Sequence, residues 1–136
     1  MKNSPIREIY RWLIGEGARK FNDIISDVVH YEVPPGVLVK VRVIMADGSF
    51  LDIYWSTTGK YSLHYERRHI NGRFYRHDNA PHSKHSHVKT FPKHYHDGRE
   101  DNVVESHLPD EPIKAVEEFL KAIREIMKSE PIRSAE

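Results

Sequence analysis

Apolar residues recur along this chain with two different periods. Ile6, Ile9, Tyr10, Leu13 and Ile14 return every three or four residues, the spacing of one helix face. Ser4-Pro5 in front of them reads as an N-cap with proline at the first helical position, and Gly15 and Gly17 read as a stop. The pattern predicts a helix over 5–14. Between Ile24 and Val33 both periods fit, and the β-branched content favours a strand, closed by Pro34-Pro35-Gly36. From Val37 the period is two. Val37, Val39, Val41, Val43 and Met45 alternate, Asp47-Gly48 marks a two-residue hairpin, and Phe50 to Ser56 returns as the partner. Thr58-Gly59 turns again, and Lys60 to Arg68 sets Tyr61, Leu63 and Tyr65 on one face. Asn71-Gly72 makes the next hairpin, and Arg73 to Asp78 is the last strand the pattern supports. This predicts an antiparallel meander of four or five strands, each beside its sequence neighbour.

Residues 79–106 hold no sustained period and include Pro81 and Pro92, which predicts a long loop of the functional kind. Helical spacing resumes with Ile113, Val116, Phe119, Leu120, Ile123 and Met127, with Asp110 as the expected cap. The fold class expected is α+β: a four- or five-stranded meander packed by N- and C-terminal helices, with a long His-rich loop before the last helix. One domain over 1–136 suits the length.

Charge sharpens this outline. The formal net charge of +1 conceals a segment, 60–99, with nine Lys/Arg against three acids, and a tail, 100–136, with five against ten. Eight of the ten histidines lie in the basic segment. That segment either faces an anionic partner or is neutralised by packing on the tail, and both can hold together. With no cysteine, disulfides and thiolate metal sites are excluded. No run approaches the roughly 18 apolar residues of a membrane span, and Arg7, Glu8 and Arg11 interrupt what would be the apolar core of a signal peptide. A cytoplasmic protein is expected.

The residues able to carry chemistry are Arg76-His77-Asp78-Asn79-Ala80-Pro81-His82, then His85, His87, Thr90-Phe91-Pro92, His94 and His96. Four readings compete. Cleavage of a phosphodiester needs a base, an acid and cations for the developing charge. His82, His87, His94 and His96 are the acid–base candidates, with Asp78 to orient one of them, because histidine titrates near neutrality. Arg76, Lys89 and Lys93 are the expected phosphate contacts, with His64 and Tyr65 also assigned to substrate binding. Unpaired bases stack on tyrosine and phenylalanine. A metal site is the second reading, drawn from His82, His87 and His94 with Asp78. Binding of nucleic acid or protein without catalysis is the third. In the fourth the histidines cap backbone groups, and Asp78-Asn79 is only a turn.

These residues also resemble a known family. A Tyr-x-x-His-Tyr pattern (Tyr61-Ser62-Leu63-His64-Tyr65) precedes a glycine turn and an arginine-rich strand. Asp78-Asn79-Ala80-Pro81-His82, then Thr90-Phe91-Pro92 with His94 and His96, then Asn102-Val103-Val104-Glu105-Ser106 follow before an acidic helix. The order resembles the TumE-like family of small toxins of two-gene toxin–antitoxin systems. It covers roughly His30 to Met127 and leaves helix 5–14 as an accessory element. Where the family has a second histidine after the Pro-His, this chain has Ser83, so His85 or His87 is the expected substitute. The resemblance implies a growth-inhibiting protein neutralised by a cognate antitoxin, often of the helix-turn-helix type, and leaves the chemistry open. The expectation carried forward is a ribonuclease using histidine acid–base catalysis with RNA as partner, without metal or other cofactor.

Overall fold

A computed structural model of the chain describes residues 4–130. Seven antiparallel strands form one sheet in the order of the sequence: β1 (Ile25–Glu32), β2 (Leu38–Met45), β3 (Phe50–Trp55), β4 (Tyr61–Arg67), β5 (Arg73–Asp78), β6 (His94–Gly98) and β7 (Val103–Glu105). The meander expectation of four or five strands is therefore corrected to seven. The two additional strands lie in the segment predicted as loop. Their alternation is real but is written in unusual residues. His94 and His96 are buried on one face, while Tyr95 lies on the other beside Tyr75 and His77. An apolar scan scores two of those three as polar. β7 is three residues long, too short for any period to register.

Helices cover one face of the sheet. α1 (Pro5–Trp12) starts as expected, with the Ser4 hydroxyl accepting from the Arg7 N–H. It does not end at the glycines. The chain runs through a π-helical turn (Leu13–Gly17) into α2 (Ala18–Lys20). Gly17 is needed for packing: a Cβ there would lie 3.0 Å from the Trp12 ring, so the glycine lets that indole rest on the backbone. A four-residue helix, α3 (Arg68–Asn71), precedes the Gly72 turn, and α4 (Pro112–Ser129) closes the fold. The cap of α4 is Glu111, which accepts from the Ile113 and Lys114 N–H groups, in place of the expected Asp110. Asp110 instead pairs with Lys93 at 2.9 Å.

The core lies between helices and sheet. Ile6, Ile9 and Leu13 from the N-terminal helical segment and Val116, Phe119, Leu120 and Ile123 from α4 meet Val41, Val43, Leu51, Ile53, Leu63 and Tyr65 of the strands. Burying each such aliphatic side chain contributes about 1.5–3 kcal/mol. Because side chains alternate along strands, residues 62, 64, 66, 74, 76, 78, 94 and 96 project from the face without helices. The connection from residue 79 to residue 93 folds onto that face through a 3₁₀ turn, Ser83–His85. Basic residues of the middle segment meet the acidic tail in the pairs Lys93–Asp110, Arg76–Glu100 and Arg73–Glu130. Among the described residues no helix is long and apolar enough to cross a membrane.

Candidate functional site

Strand register assembles a group of polar side chains on the face without helices. In the β5–β6 pair Asp78 stands opposite His94, and Arg76 stands opposite His96. On the other side of β5, Asp78 is opposite Ser62 and Arg76 opposite His64. Two strands of matched alternation thus set one carboxylate, one guanidinium and two imidazoles into a square. The 3₁₀ turn of the connection adds His85, whose ring centroid is 4.6 Å from that of His94 and 5.6 Å from that of His96. His85, His94 and His96 are all buried, and each offers a ring nitrogen within 4.8 Å of those of the other two.

The orientation of two of these rings is fixed from outside the cluster. His94 Nδ1 lies 2.8 Å from the Pro92 carbonyl, and His96 Nδ1 lies 2.9 Å from the Glu100 carbonyl. A carbonyl only accepts, so both Nδ1 atoms carry hydrogen and donate. Both Nε2 atoms therefore face inward, toward Asp78: His94 Nε2 is 3.2 Å from Oδ1, and His96 Nε2 is 3.8 Å from Oδ2. Asp78 is held in turn. Its Oδ1 accepts from the Ala80 N–H at 3.0 Å and its Oδ2 from Arg76 Nε at 3.1 Å. Arg76 also reaches the Glu100 carboxylate at 3.2 Å. Burial pushes His96 below the usual histidine range, against the Glu100 hydrogen bond that opposes it, and Arg76 adds to the depression. Burial likewise lowers His85, helped by the neighbouring His94 and His96. Neutral imidazoles are available here at physiological pH.

The group opens into a cavity of about 450 Å³, well within the range of small-ligand and nucleotide sites. Asp78, His85, His94 and His96 line its floor, and Tyr54, Lys60, His82, Lys84 and Glu100 stand around the rim. Lys60 and Lys84 have no acidic partner among the described residues, and Tyr54 is 44% exposed. A wider groove of about 570 Å³ runs along the β7 edge and carries His87 and Lys89. It contains no buried titratable group, so the smaller cavity is the better chemical site.

Five of the sequence-predicted residues come together: Asp78, His82, His94, His96 and Arg76. The others go elsewhere. His87 and Lys89 lie in the β7 groove. Lys93 donates to the Leu108 carbonyl at 2.7 Å and pairs with Asp110, bracing the approach to α4. Tyr65 is fully buried on the helix-covered face, its hydroxyl joined to Ser49 and Arg67. His64 stacks on Phe74 and binds Glu66 at 3.0 Å, one residue outside the cavity. His85 was missed as a primary candidate because its inward aim comes from the short 3₁₀ turn, which has no periodic signal. The placement of Tyr65 was readable, since it alternates with Tyr61 and Leu63 on the apolar face.

A family model described as "Toxin TumE" matches residues 18–127. Neither a curated protein nor a solved structure matches the chain.

Proposed function

Because the chain belongs to the TumE toxin family, we propose that it inhibits growth by cleaving RNA in the cavity formed by β5, β6 and the connection between them. The observation that carries this reading is the convergence of three buried imidazoles, a braced carboxylate and Arg76 in one cavity with cationic residues at its rim. In the reaction the 2′-hydroxyl of a nucleotide attacks the adjacent phosphorus. The O2′–P bond forms as the P–O5′ bond breaks. The floor group of His85, His94, His96 and Asp78 activates the hydroxyl and takes up its proton. His82, exposed at the rim, returns a proton to O5′. Arg76 stabilises the charge that develops on phosphorus, Lys60 and Lys84 hold the RNA backbone at the rim, and Tyr54 offers a face for an unpaired base. Membership of a toxin family implies a cognate antitoxin. A helix-turn-helix protein encoded beside the toxin gene is the form we propose for it.

The test is cleavage of a fluorophore-labelled single-stranded RNA by the purified chain, free of antitoxin. Cleavage is expected, and Asp78→Asn should reduce it by about a hundredfold or more. A wild-type chain that arrests growth but leaves RNA intact under all conditions would sink the nuclease reading and make the cavity a binding site.

A further inference from the structure

We infer that His85, His94 and His96, with the Asp78 carboxylate beside the last two, form a binding site for one divalent first-row transition metal of the zinc class. The inference deepens the cleavage reading for what the metal does in the cavity, but its binding stands without that reading. It also differs from the set expected in the sequence, His82, His87 and His94: two of those three histidines are exposed outside the floor, and only His94 stays.

Three observations carry it. First, the donors are of the right kind and close together. Three buried imidazole nitrogens lie within 4.8 Å of one another. Two donors on a tetrahedral zinc at ~2.05 Å are ~3.3 Å apart, and His94 Nε2 and Asp78 Oδ1 stand 3.2 Å apart. Second, the outward nitrogens are tied off as in metal centres. The Pro92 and Glu100 carbonyls take the Nδ1–H groups of His94 and His96, which fixes the tautomer and aims the lone pairs inward. The Ala80 N–H and Arg76 brace the carboxylate in the same way. Third, nitrogen donors and negative charge converge: His94 Nε2 lies 3.2 Å from Asp78 Oδ1 and His96 Nε2 3.8 Å from Oδ2, and a carboxylate beside inward-facing imidazoles favours a cation among them.

Three imidazole nitrogens select zinc, cobalt or nickel over magnesium, which prefers an all-oxygen shell. With the floor lone pairs taken up by the ion, activation of the hydroxyl would pass from a floor imidazole to the metal, which would lower the pKa of a bound hydroxyl and polarise a phosphoryl oxygen.

The experiment uses the full, untagged chain after chelator treatment and dialysis. Zinc is titrated calorimetrically, and cobalt(II) is added to a second sample for its visible spectrum. One zinc per chain is expected, with affinity reduced about a hundredfold in His85→Ala and in His96→Ala and unchanged in the double variant His82→Ala, His87→Ala. Magnesium should not compete. The cobalt complex should show the intense visible absorption of four-coordinate geometry, a measurement on the wild type that needs no variant to fold. Absence of stoichiometric zinc binding overturns the inference, as does a weak six-coordinate cobalt spectrum. Zinc binding that survives His85→Ala and is lost in the His82→Ala, His87→Ala variant overturns it too. A chain that binds zinc but cleaves no RNA keeps the metal centre and loses the nuclease. A chain that cleaves RNA in chelator and binds no zinc does the reverse.

Discussion

On the helix-covered face of β5, His77 lies nearly parallel to Tyr95, with ring centroids 4.1 Å apart, and meets the edge of Phe119 at 4.8 Å. Its Nδ1 is joined to the buried hydroxyl of Ser106 at 2.8 Å. One residue further on, the chain passes to the other face, where Asp78 meets His94 and His96. All three histidines are buried, so burial does not separate packing from chemistry. Their neighbours do. His77 sits among rings and one hydroxyl, and burial, with the nearby Lys93 charge, pushes it down to about 3. It is an aromatic block of the core. His94 and His96 each surrender one nitrogen to a carbonyl and present the other to a carboxylate. That pattern leaves a directed lone pair in a cavity, which a packing residue has no use for.

The most severe way to break the contrast is to put the same substitution on each face. His94→Phe should abolish cleavage, a loss of about a thousandfold or more, while His77→Phe should leave it within a few-fold of wild type. RNA cleavage and growth arrest, measured side by side, decide it. Equal losses would mean that the two faces are not distinct in role.

Acid should act next, mainly through the covered face. Between about 3 and the ordinary histidine value of 6.5 the folded chain holds His77 neutral while the unfolded chain protonates it. Unfolding then takes up a proton, so stability is complete above pH 6.5 and falls as the pH drops toward 3. The whole span corresponds to on the order of 5 kcal/mol. Urea denaturation at pH 7, 5 and 4 should show this loss, and His77→Phe should flatten it. At neutral pH the same variant should cost about 1 kcal/mol or more by stripping Ser106 of its partner. His85 and His96, also lowered, add a slope of the same sign that the variant retains.

The rim should give the smallest change. Lys84→Ala removes an exposed charge without touching the floor. It should raise KM for RNA a few-fold and leave kcat near its wild-type value, with the difference fading as salt rises.

Much of the scaffold was legible because its signals are local. Ser4-Pro5, the alternation of β2, and the turns at Asp47-Gly48 and Thr58-Gly59 each act within a few residues. So was the region of the site: the basic, histidine-rich stretch contains every floor residue. What was hidden depended on partners distant in sequence. β6 reads as polar until the surroundings of His94 and His96 are known. Gly17 reads as a stop until the Trp12 ring is seen lying on it. Lys93 reads as a phosphate ligand until Leu108 and Asp110 claim its ammonium. His85 and His87 are two apart in a segment of identical composition, and the turn over Ser83–His85 sends only the first inward.

Gly98 closes β6 with a φ of 91°, and a Cβ there would meet nothing nearer than the Arg73 side chain at 3.9 Å. Any other residue would fit the space but resist the bend by roughly 1 kcal/mol. That bend carries the chain back so that the Glu100 carbonyl reaches His96. A glycine outside the cavity thus helps to fix which nitrogen of the His96 ring, two residues back, is proton-bearing, and a substitution there would loosen the aim of that ring while the scaffold stayed intact.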